Sequence, residues 1–431
     1  MNVRRALISA AVAGVLGCAC TGYALAAVKA AAKPRPPVPR PSGTLTIVAG
    51  AQSEIALTAV IKKFELAYPR VNVQPQYVDG SNLSAVLSVQ IQAGNVPDIA
   101  FAGAGRSAPY YIWSLSPRGP NSPTGANKLL AIAGPWTKSL PPSVAAYMQV
   151  NHKYYGAPVG VTPEVVMYNT AIFNSLGLKP PRTFSQLLSV CQKITAAGKT
   201  PFAYAGPLTT PYAFLDGALS RFVYASDPTW NAQRLAHKVS VTTSPGWKRT
   251  LAAWLQMKAG NCFAPGAVAT TQPQALADFA QGSAAMFMGF SAFYGAIAAI
   301  SPNINVNSFD FPGDTAKQRG VAVGLQQNLE VFKGGHNRTA ARAFINFIML
   351  PKEAALYDNL TGGISLHDYT KGTLPPFLSG IEADAKYRTV VAPSTAIPFS
   401  TWLTSGVPLM VSLYTGQLSP AQTLQQLDQL W

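Results

Sequence analysis

"GTLTIVAGAQSEIALTAVIKKFELAYPRVNV" (residues 43–73) is the stretch that decides the fold, because its pattern changes from strand to helix and back. Residues 43–50 are rich in β-branched side chains that alternate along the chain, which is typical of a strand. Residues 54–69 carry apolar side chains at helical spacing, and this pattern stops at Pro69. A second strand, predicted at residues 71–78, completes a β-α-β unit.

The segment that follows repeats this alternation. A helix is predicted over residues 82–95, where it ends at Gly94, and a third strand over residues 97–103. Helices of this length between strands indicate a parallel sheet that is covered on both faces. Ligands bind such sheets outside the carboxyl ends of the strands. We therefore expect ligand-binding groups among the polar residues that follow the three strands: Gln52, Glu54, Asp79 and Arg106.

The remainder of the chain also alternates, so the predicted fold class is α/β. Residues 154–169 are predicted as an extended crossing segment, and residues 306–313 and 321–333 as strands. Thr183 is a predicted N-cap, and Ser419 opens the final helix with Pro420 at its first position. Further helices are predicted over residues 170–178, 183–198, 245–260, 272–282, 337–351 and 419–431.

The charge of the chain is unbalanced, with 33 Lys and Arg against 17 Asp and Glu, a net charge of +16. Charge of this size raises nucleic acid as a partner. However, the basic residues stand mostly alone, as at Lys128, Lys138 and Arg221, without the interleaved aromatic residues of a nucleic-acid groove. We interpret the charge as a general surface property and expect no nucleic-acid partner.

The sequence contains no familiar catalytic or cofactor motif. It has no GxSxG elbow, HExxH, Walker loop or Rossmann GxGxxG. No Cys and His spacing suggests zinc, since the four histidines are scattered singly. We therefore predict no catalytic residues, no metal and no cofactor, and expect that the protein is not an enzyme.

The first 42 residues are predicted as an export signal and a spacer. Arg4 and Arg5 precede an apolar core and small residues, which together predict a signal peptide over residues 1–26. "VLGC" resembles a lipobox that ends at Cys18, whereas "ALA" permits simple cleavage after Ala26. We favour lipidation of Cys18, because it follows the apolar core directly. Residues 27–42 are rich in proline and predict a semi-extended spacer.

Two cysteines remain in the body of the chain. Cys191 lies in one helical pattern and Cys262 follows another. An exported protein often joins such a pair. Their spacing does not decide whether the two residues meet, so a disulfide stays open at this point.

Six motifs, in order, resemble the extracellular solute-binding proteins of bacterial ABC importers, in the maltose-binding-protein-like carbohydrate cluster. They are residues 43–73, "QIQAGNVPDIAFAG", "HKYYGAPVGVTPEVVMYNTAIFNSLGL", "DFAQGSAAMFMGF", "NRTAARAFINFIMLPKEAALYDNLTGGIS" and "TGQLSPAQTL". The resemblance implies two lobes, each a helix-covered sheet, with the ligand in the cleft between them. It assigns residues 43–157 and 309–350 to lobe one, and residues 158–308 and 351–431 to lobe two.

The resemblance also implies ligand-binding residues. Trp402 falls where this family often carries a tryptophan that stacks on sugar, and Tyr212 occupies a similar position facing the cleft. Thr162 and Glu164 lie on the crossing segment, as hinge or ligand groups. Arg106 is suited to hydroxyls or a carboxylate, while Gln52 and Glu54 are candidate donors or acceptors.

One departure from the family pattern bears on the ligand. Where the family usually has a tryptophan, this chain has Ser291, flanked by Phe290 and Phe293. A phenyl ring stacks but does not donate a hydrogen bond, so the ligand is expected to differ from maltose. The surrounding run between Asp278 and Asp310 has no charge, and the resemblance divides it into a buried strand at 284–288, a turn and a helix from about Ala292.

The expected function is that of a receptor for a solute, a mono- or oligosaccharide, which it delivers to the permease of an ABC importer. The expected molecule is a monomer on the outer face of the cytoplasmic membrane, held by its lipid, or secreted without one. The alternatives are an exported enzyme that acts on glycans, a receptor for a non-sugar solute, and an adhesion or structural protein.

Overall fold

Two sheets, each covered by helices, form the body of the protein. The computed structural model describes residues 40–431 except for 79–82, 103–128, 142–143, 146–147, 151, 326–327 and 392–401. Residues 40–431 form one unit by their contacts. The predicted signal peptide with Cys18, most of the spacer, Asp79 and Arg106 lie outside the described residues.

The elements alternate along the chain as an α/β protein requires, which confirms the predicted class. The strands are β1 Gly43–Gly50, β2 Val71–Val78, β3 Ile99–Ala102, β4 Gln149–Val150, β5 Lys153–Tyr154, β6 Gly156–Pro158, β7 Gly160–Asn169, β8 Thr200–Ala203, β9 Ala284–Phe290, β10 Val306–Phe309, β11 Val321–Leu325, β12 Asn328–Val331, β13 Ile364–Ser365 and β14 Thr389–Val391. The helices are α1 Glu54–Ala67, α2 Leu83–Gln92, α3 Thr170–Ser175, α4 Phe184–Ala196, α5 Gly206–Phe222, α6 Trp230–Leu235, α7 Pro245–Ala259, α8 Gln272–Ala280, α9 Phe293–Ile300, α10 Arg338–Ile348, α11 Pro351–Thr361, α12 Leu366–Lys371, α13 Glu382–Tyr387, α14 Val407–Thr415 and α15 Pro420–Asp428.

The first sheet has the strand order β2-β1-β3-β12-β6. Strands β1, β2 and β3 are parallel, as the opening β-α-β-α-β pattern predicts, and β12 runs antiparallel to β3 and β6. Leu45 and Ile47 belong to one apolar cluster with residues of α1, whereas Val48, which points to the other face, belongs to a second cluster with Leu87 of α2. Both faces of the sheet are therefore covered, as expected.

The second sheet is built around β7. Its order is β14-β11-β7-β9-β8, and β10 and β13 also pair with β7. Nine of the ten residues of β7 are buried. The chain passes from the first sheet to the second between β6 and β7, so the predicted crossing segment is confirmed.

The stretch predicted as one strand at 321–333 is two strands in different sheets. β11 pairs with β7 in the second sheet, and β12 pairs with β3 and β6 in the first. The prediction of a single strand is wrong because an apolar pattern shows that a segment is extended, not which sheet it joins.

Two segments also pair differently from the predicted lobe assignment, which otherwise stays a prediction. β11, assigned to lobe one, hydrogen-bonds to β7 in the second sheet. Helix α11, assigned to lobe two, packs its Ala354 and Tyr357 in the same cluster as Leu57 of α1. Strand pairing and packing thus favour chain crossings near residues 325–328 and 361–364.

Helix starts follow the capping chemistry. The Thr183 hydroxyl accepts from the backbone N–H of Gln186 at 3.3 Å, as predicted. Ser419 and Gln422 form a full capping box, in which the Ser419 N–H donates to Gln422 Oε1 at 2.9 Å. Both helix starts inferred from the sequence are confirmed.

Cys191 and Cys262 form a disulfide, which answers the question that their spacing left open. Their Cα atoms are 5.0 Å apart and both residues are fully buried. The bond joins α4 to the segment that follows α7.

The charge-free run is divided as the resemblance implied. It contains the buried strand β9, Ala284–Phe290, and the short helix α9, Phe293–Ile300. The strand continues two residues beyond its expected end at 288, because Gly289 and Phe290 still pair with β7. Throughout the part of the chain that the structure describes, no helix is long and apolar enough to cross a membrane.

Candidate ligand-binding site

Three chain crossings lie side by side at the start of β7. In the first, β6 of the first sheet is followed after Val159 by β7 of the second. In the second, Leu325 at the end of β11 pairs with Val161, and Asn328 at the start of β12 pairs with Pro158. In the third, β13 pairs with Val161 and Gly160. The two sheets are therefore joined through one group of hydrogen-bonded strands.

Gly160 stands at the centre of this group. A Cβ atom there would collide with the carboxyl of Asp358 and lie 2.5 Å from the carbonyl oxygen of Ile364. Only glycine lets the third crossing approach β7 this closely.

Aromatic rings gather beside the crossings, at the end of β9. The ring centroids of Tyr212 and Phe290 are 5.3 Å apart, and those of Phe290 and Phe293 are 6.0 Å apart. The structure thus brings together three of the residues predicted from the family resemblance. Phe290 and Phe293 are half-buried, and Tyr212 is 6% exposed.

Polar groups of β7 and β11 adjoin this aromatic group. The Thr162 hydroxyl donates to the carbonyl oxygen of Gly324 at 3.3 Å. A Cβ atom on Gly324 would lie 3.0 Å from the Thr162 hydroxyl oxygen and 3.8 Å from Phe290 Cε1. Gly324 therefore lies between Thr162 and the Phe290 ring, and the absence of a side chain there leaves space between them.

Ser291 is held by its backbone at the turn after β9. Its N–H donates to the carbonyl oxygen of Pro163 at 2.8 Å, and its own carbonyl accepts from the N–H of Tyr294 at 3.0 Å. The side chain is fully buried, and its hydroxyl has no hydrogen-bond partner among the residues described. A buried hydroxyl in this state favours a further polar partner, because leaving it unpaired costs free energy.

Trp402 is buried more deeply than a stacking role suggests. It is 1% exposed and lies in the same apolar cluster as Tyr212, against which Phe290 also packs. Its indole N–H has no hydrogen-bond partner within the described chain. Its predicted contact with a ligand stays a prediction.

Glu54 belongs to the first sheet's side of the crossings. It is exposed in the first turn of α1, and its carbonyl oxygen accepts from the Tyr77 hydroxyl at 3.5 Å. Gln52 lies in the turn Ala51–Ser53 between β1 and α1. Both residues follow the carboxyl end of β1, as the prediction requires.

Two carboxyl groups are buried beside the aromatic group, on the same face of the sheet as Phe290. Glu164 is opposite Phe290 in the β7–β9 register, and Asp216 lies on α5. Burial raises the pKa of Glu164 well above its usual value, and the Asp216 carboxyl raises it further through its charge and a hydrogen bond. The pair therefore retains a proton at pH values where isolated carboxyls are ionised.

Sequence reasoning missed Asp216 and Gly324 as parts of this region. The signal for Asp216 is an acidic residue inside the apolar stretch "YAFLDGAL". Such a residue, once buried, needs a partner. Gly324 carries no comparable signal, because its role depends on two strands meeting. Across the described chain, no group of three or more His, Cys, Asp or Glu residues is placed to hold a metal ion.

The chain matches a protein-family model and several known proteins. The model described as bacterial extracellular solute-binding protein matches residues 50–355, more than two thirds of the chain. An uncharacterised ABC transporter extracellular-binding protein of Pyrococcus horikoshii is 33% identical over 165 residues, which are 36% of this chain and 34% of that protein. A multiple sugar-binding protein of Streptococcus mutans is 28% identical over 155 residues, again 36% of this chain and 34% of that protein. The chain thus spans about a third of the length of these two relatives.

Solved structures support the same fold. RafE from Streptococcus pneumoniae, without ligand, superposes with a TM-score of 0.73 at 18% identity, over 91% of this chain and 98% of that one. RafE in complex with raffinose gives a TM-score of 0.70 at 18% identity, over 90% and 98%. These neighbours are two-lobe solute-binding proteins, so the predicted fold is confirmed. From the family model and the architecture together, this chain belongs to the bacterial extracellular solute-binding protein family.

Proposed function

We propose that this protein is an exported receptor that binds a carbohydrate between its two lobes and delivers it to the permease of an ABC importer. The observation that carries the proposal is the aromatic group Tyr212, Phe290 and Phe293, placed directly beside the three crossings. Aromatic faces suit the apolar side of a sugar ring, and polar groups nearby suit its hydroxyls. The relatives named for sugars and the structure with raffinose support the same ligand class.

The crossings support a receptor that closes on its ligand. Strands that join two sheets at one place permit a hinge motion of one lobe against the other. A permease then distinguishes the closed, loaded form from the open one. The proposed ligand groups are Gln52, Glu54, Arg106, Thr162, Tyr212, Phe290, Ser291, Phe293 and Trp402.

The proposed site is tested by titrating the protein with raffinose and with other neutral oligosaccharides while its melting temperature and heat of binding are measured. Binding raises the free energy of unfolding by about 2.7 kcal/mol at a ligand concentration one hundred times Kd. Failure of every sugar to bind would remove the carbohydrate assignment and leave the fold intact.

A matched pair of variants assigns the binding to the aromatic group. Phe290→Ala is expected to weaken sugar binding by about tenfold, since an aromatic contact contributes about 0.5–1.5 kcal/mol beyond its buried area. Phe347→Ala removes an equally half-buried ring that packs on Phe64, in the first sheet's cluster. The control variant is expected to melt at a lower temperature and to keep its sugar affinity.

The proposal that the protein is a receptor and not an enzyme has its own test. Bound oligosaccharide, recovered after long incubation with the protein, should be chemically unchanged. Hydrolysed sugar at amounts above one equivalent of protein would favour the alternative, a glycan-active enzyme.

The proposed lipid anchor depends on Cys18. In the producing cell, the natural chain should fractionate with membranes, and Cys18→Ser should release it to the soluble fraction. A Cys18→Ser protein that stays with the membranes would contradict the anchor.

A further inference from the structure

A large groove opens on the second-sheet side of the molecule, apart from the proposed sugar site. Its volume is about 1010 Å³, and none of the predicted ligand residues lines it. Its walls are the loop 177–182, one face of α4, the residues 308–319 and the segment 380–384. This volume is at the upper end of the range that small-molecule sites occupy, about 300–1,000 Å³.

The floor of the groove holds a buried ion pair. Arg221 Nη2 lies 3.3 Å from Asp310 Oδ2, and the two side chains are 3% and 6% exposed. Arg221 Nε donates to the carbonyl oxygen of Phe311 at 2.5 Å. Its remaining nitrogen, Nη1, is buried and has no hydrogen-bond partner among the described residues. A guanidinium left with an unpaired N–H favours an added acceptor.

The rim of the groove is cationic. Lys179, Arg182 and Lys193 are exposed and form no ion pair within the described part of the chain. Pro180 and Pro181 separate the first two and fix the backbone between them. Arg319 is paired with Asp384 at 2.5 Å.

The excess of cationic over anionic side chains in the groove indicates the charge of its ligand. Five cationic side chains and only two carboxylates line the groove. Cations grouped in a cleft raise the local concentration of anions. A neutral solute would gain little electrostatic attraction from these side chains.

We propose that this groove is a second binding site, for a small molecule with two or more oxyanion groups, carboxylate or phosphate. One oxyanion lies at the floor, where Arg221 lines the groove, and a second lies between the rim cations. The site does not depend on the sugar site, because no residue is shared between the two.

The experiment titrates the full-length chain with citrate and, separately, with inorganic phosphate, while the heat of binding is measured. Saturable binding that weakens as salt is added is expected, because the rim charges are exposed. Binding of citrate alone indicates a carboxylate ligand and binding of phosphate alone a phosphorylated one; either supports the site. Binding of neither overturns it.

Charge-reversal variants locate the binding. Lys179→Glu with Lys193→Glu is expected to weaken anion binding about tenfold or more, because two attractions become repulsions. The matched control, Lys62→Glu with Lys352→Glu, makes the same change of net charge on exposed helix residues outside the groove. Equal weakening in both double variants, or none in the first, contradicts the proposal.

Arg221→Lys tests the floor while it keeps the charge. It is expected to weaken binding at least fivefold, because lysine does not present the planar fork of a guanidinium. A melting curve establishes that this variant is folded, and unchanged affinity in a folded variant would remove Arg221 from the site. Phe290→Ala should leave anion binding unchanged, which separates the two sites.

Discussion

The two sheets are stabilised by different means. The first-sheet cluster is dominated by aliphatic residues of β1, α1 and α10, such as Leu45, Leu57 and Ile345. The second-sheet cluster contains Trp230, Trp247, Trp254 and Trp402 together with the disulfide.

The second-sheet side also buries charged groups. The ion pair Arg221–Asp310 and the acid pair Glu164–Asp216 lie in its interior. Buried polar groups need partners to offset their desolvation. The first-sheet side buries carboxyls too, among them Asp98, which accepts from the N–H groups of Thr46 and Asn337 at 2.9 and 2.5 Å. What distinguishes the second-sheet side is therefore its tryptophans, its disulfide and its paired charged groups.

Removing the disulfide should produce the largest effect. The bond closes a loop with a sequence separation of 71 residues. The chain-entropy model gives a loss of about 4 kcal/mol for a loop of this length. Urea unfolding of Cys191→Ala with Cys262→Ala, followed by fluorescence of the tryptophans, measures it. Reductant should destabilise the natural protein and leave the double variant unchanged; an equal response of both would refute the assignment.

The pH dependence of stability comes second, when it is counted for one buried carboxyl over one pH unit. Burial raises the pKa of three carboxyls well above their ordinary range: Glu164, Glu330 and Asp358. The folded state therefore holds protons that the unfolded chain releases above about pH 4. Stability is complete below that pH and falls as pH rises through the raised values, by up to about 1.4 kcal/mol per pH unit for each group. Urea unfolding between about pH 4 and pH 8 tests this sign, and stability that rises across the range would contradict it.

The buried carboxyls of the two sheets should contribute unequally to the pH dependence of stability. The Asp216 carboxyl further raises the pKa of Glu164, whereas a hydrogen bond from Asn328 lowers that of Glu330. Glu164→Gln is therefore expected to flatten the pH profile more than Glu330→Gln. Unfolding curves of both variants across the same pH range provide the measurement, and equal flattening would mean that burial alone sets the slope.

A smaller loss of stability is expected from a substitution in β11, close to the chain crossings between the two sheets. Gly324→Ala places a Cβ atom 3.0 Å from the Thr162 hydroxyl and should cost about 1–2 kcal/mol. The cost should shrink when Thr162→Ala is added, since the two residues are in contact. Gly295→Ala is the control, because a Cβ atom there has no neighbour within 4 Å and replaces a helical glycine. That variant should unfold at the same or a higher denaturant concentration.

The smallest effect is expected at the final helix. Ser419→Ala removes the capping box and should cost about 1 kcal/mol. Denaturant unfolding measures the loss, and Ser419→Asp, which retains a capping oxygen, should restore most of it. A loss above that of the disulfide would mean that the chain end matters more to the second-sheet side than its packing suggests.

The sequence predicts which segments are helices and strands better than it predicts which segments contact one another. The opening β-α-β-α-β units, the N-caps at Thr183 and Ser419 and the strand at β9 follow from periodicity, capping residues and family motifs. Helix α5 was not predicted, because its Gly206 and Pro211 resemble a loop.

What the sequence leaves open depends on contacts between distant residues. The pairing of Cys191 with Cys262, the burial of Asp216 beside Glu164 and the change of sheet between β11 and β12 all require that separate segments meet. The groove around Arg221 is of the same kind, since its lining comes from four stretches of chain.

Strand β7 has one more consequence. The second and third crossings pair with Val161, and the first continues directly from β6 through Val159 into β7. We expect such connections to twist together about a single axis, which leaves the molecule one easy direction of opening and resists sliding. Opening and closing would then preserve the strand pairing at the axis, so the two sheets could move repeatedly without partial unfolding.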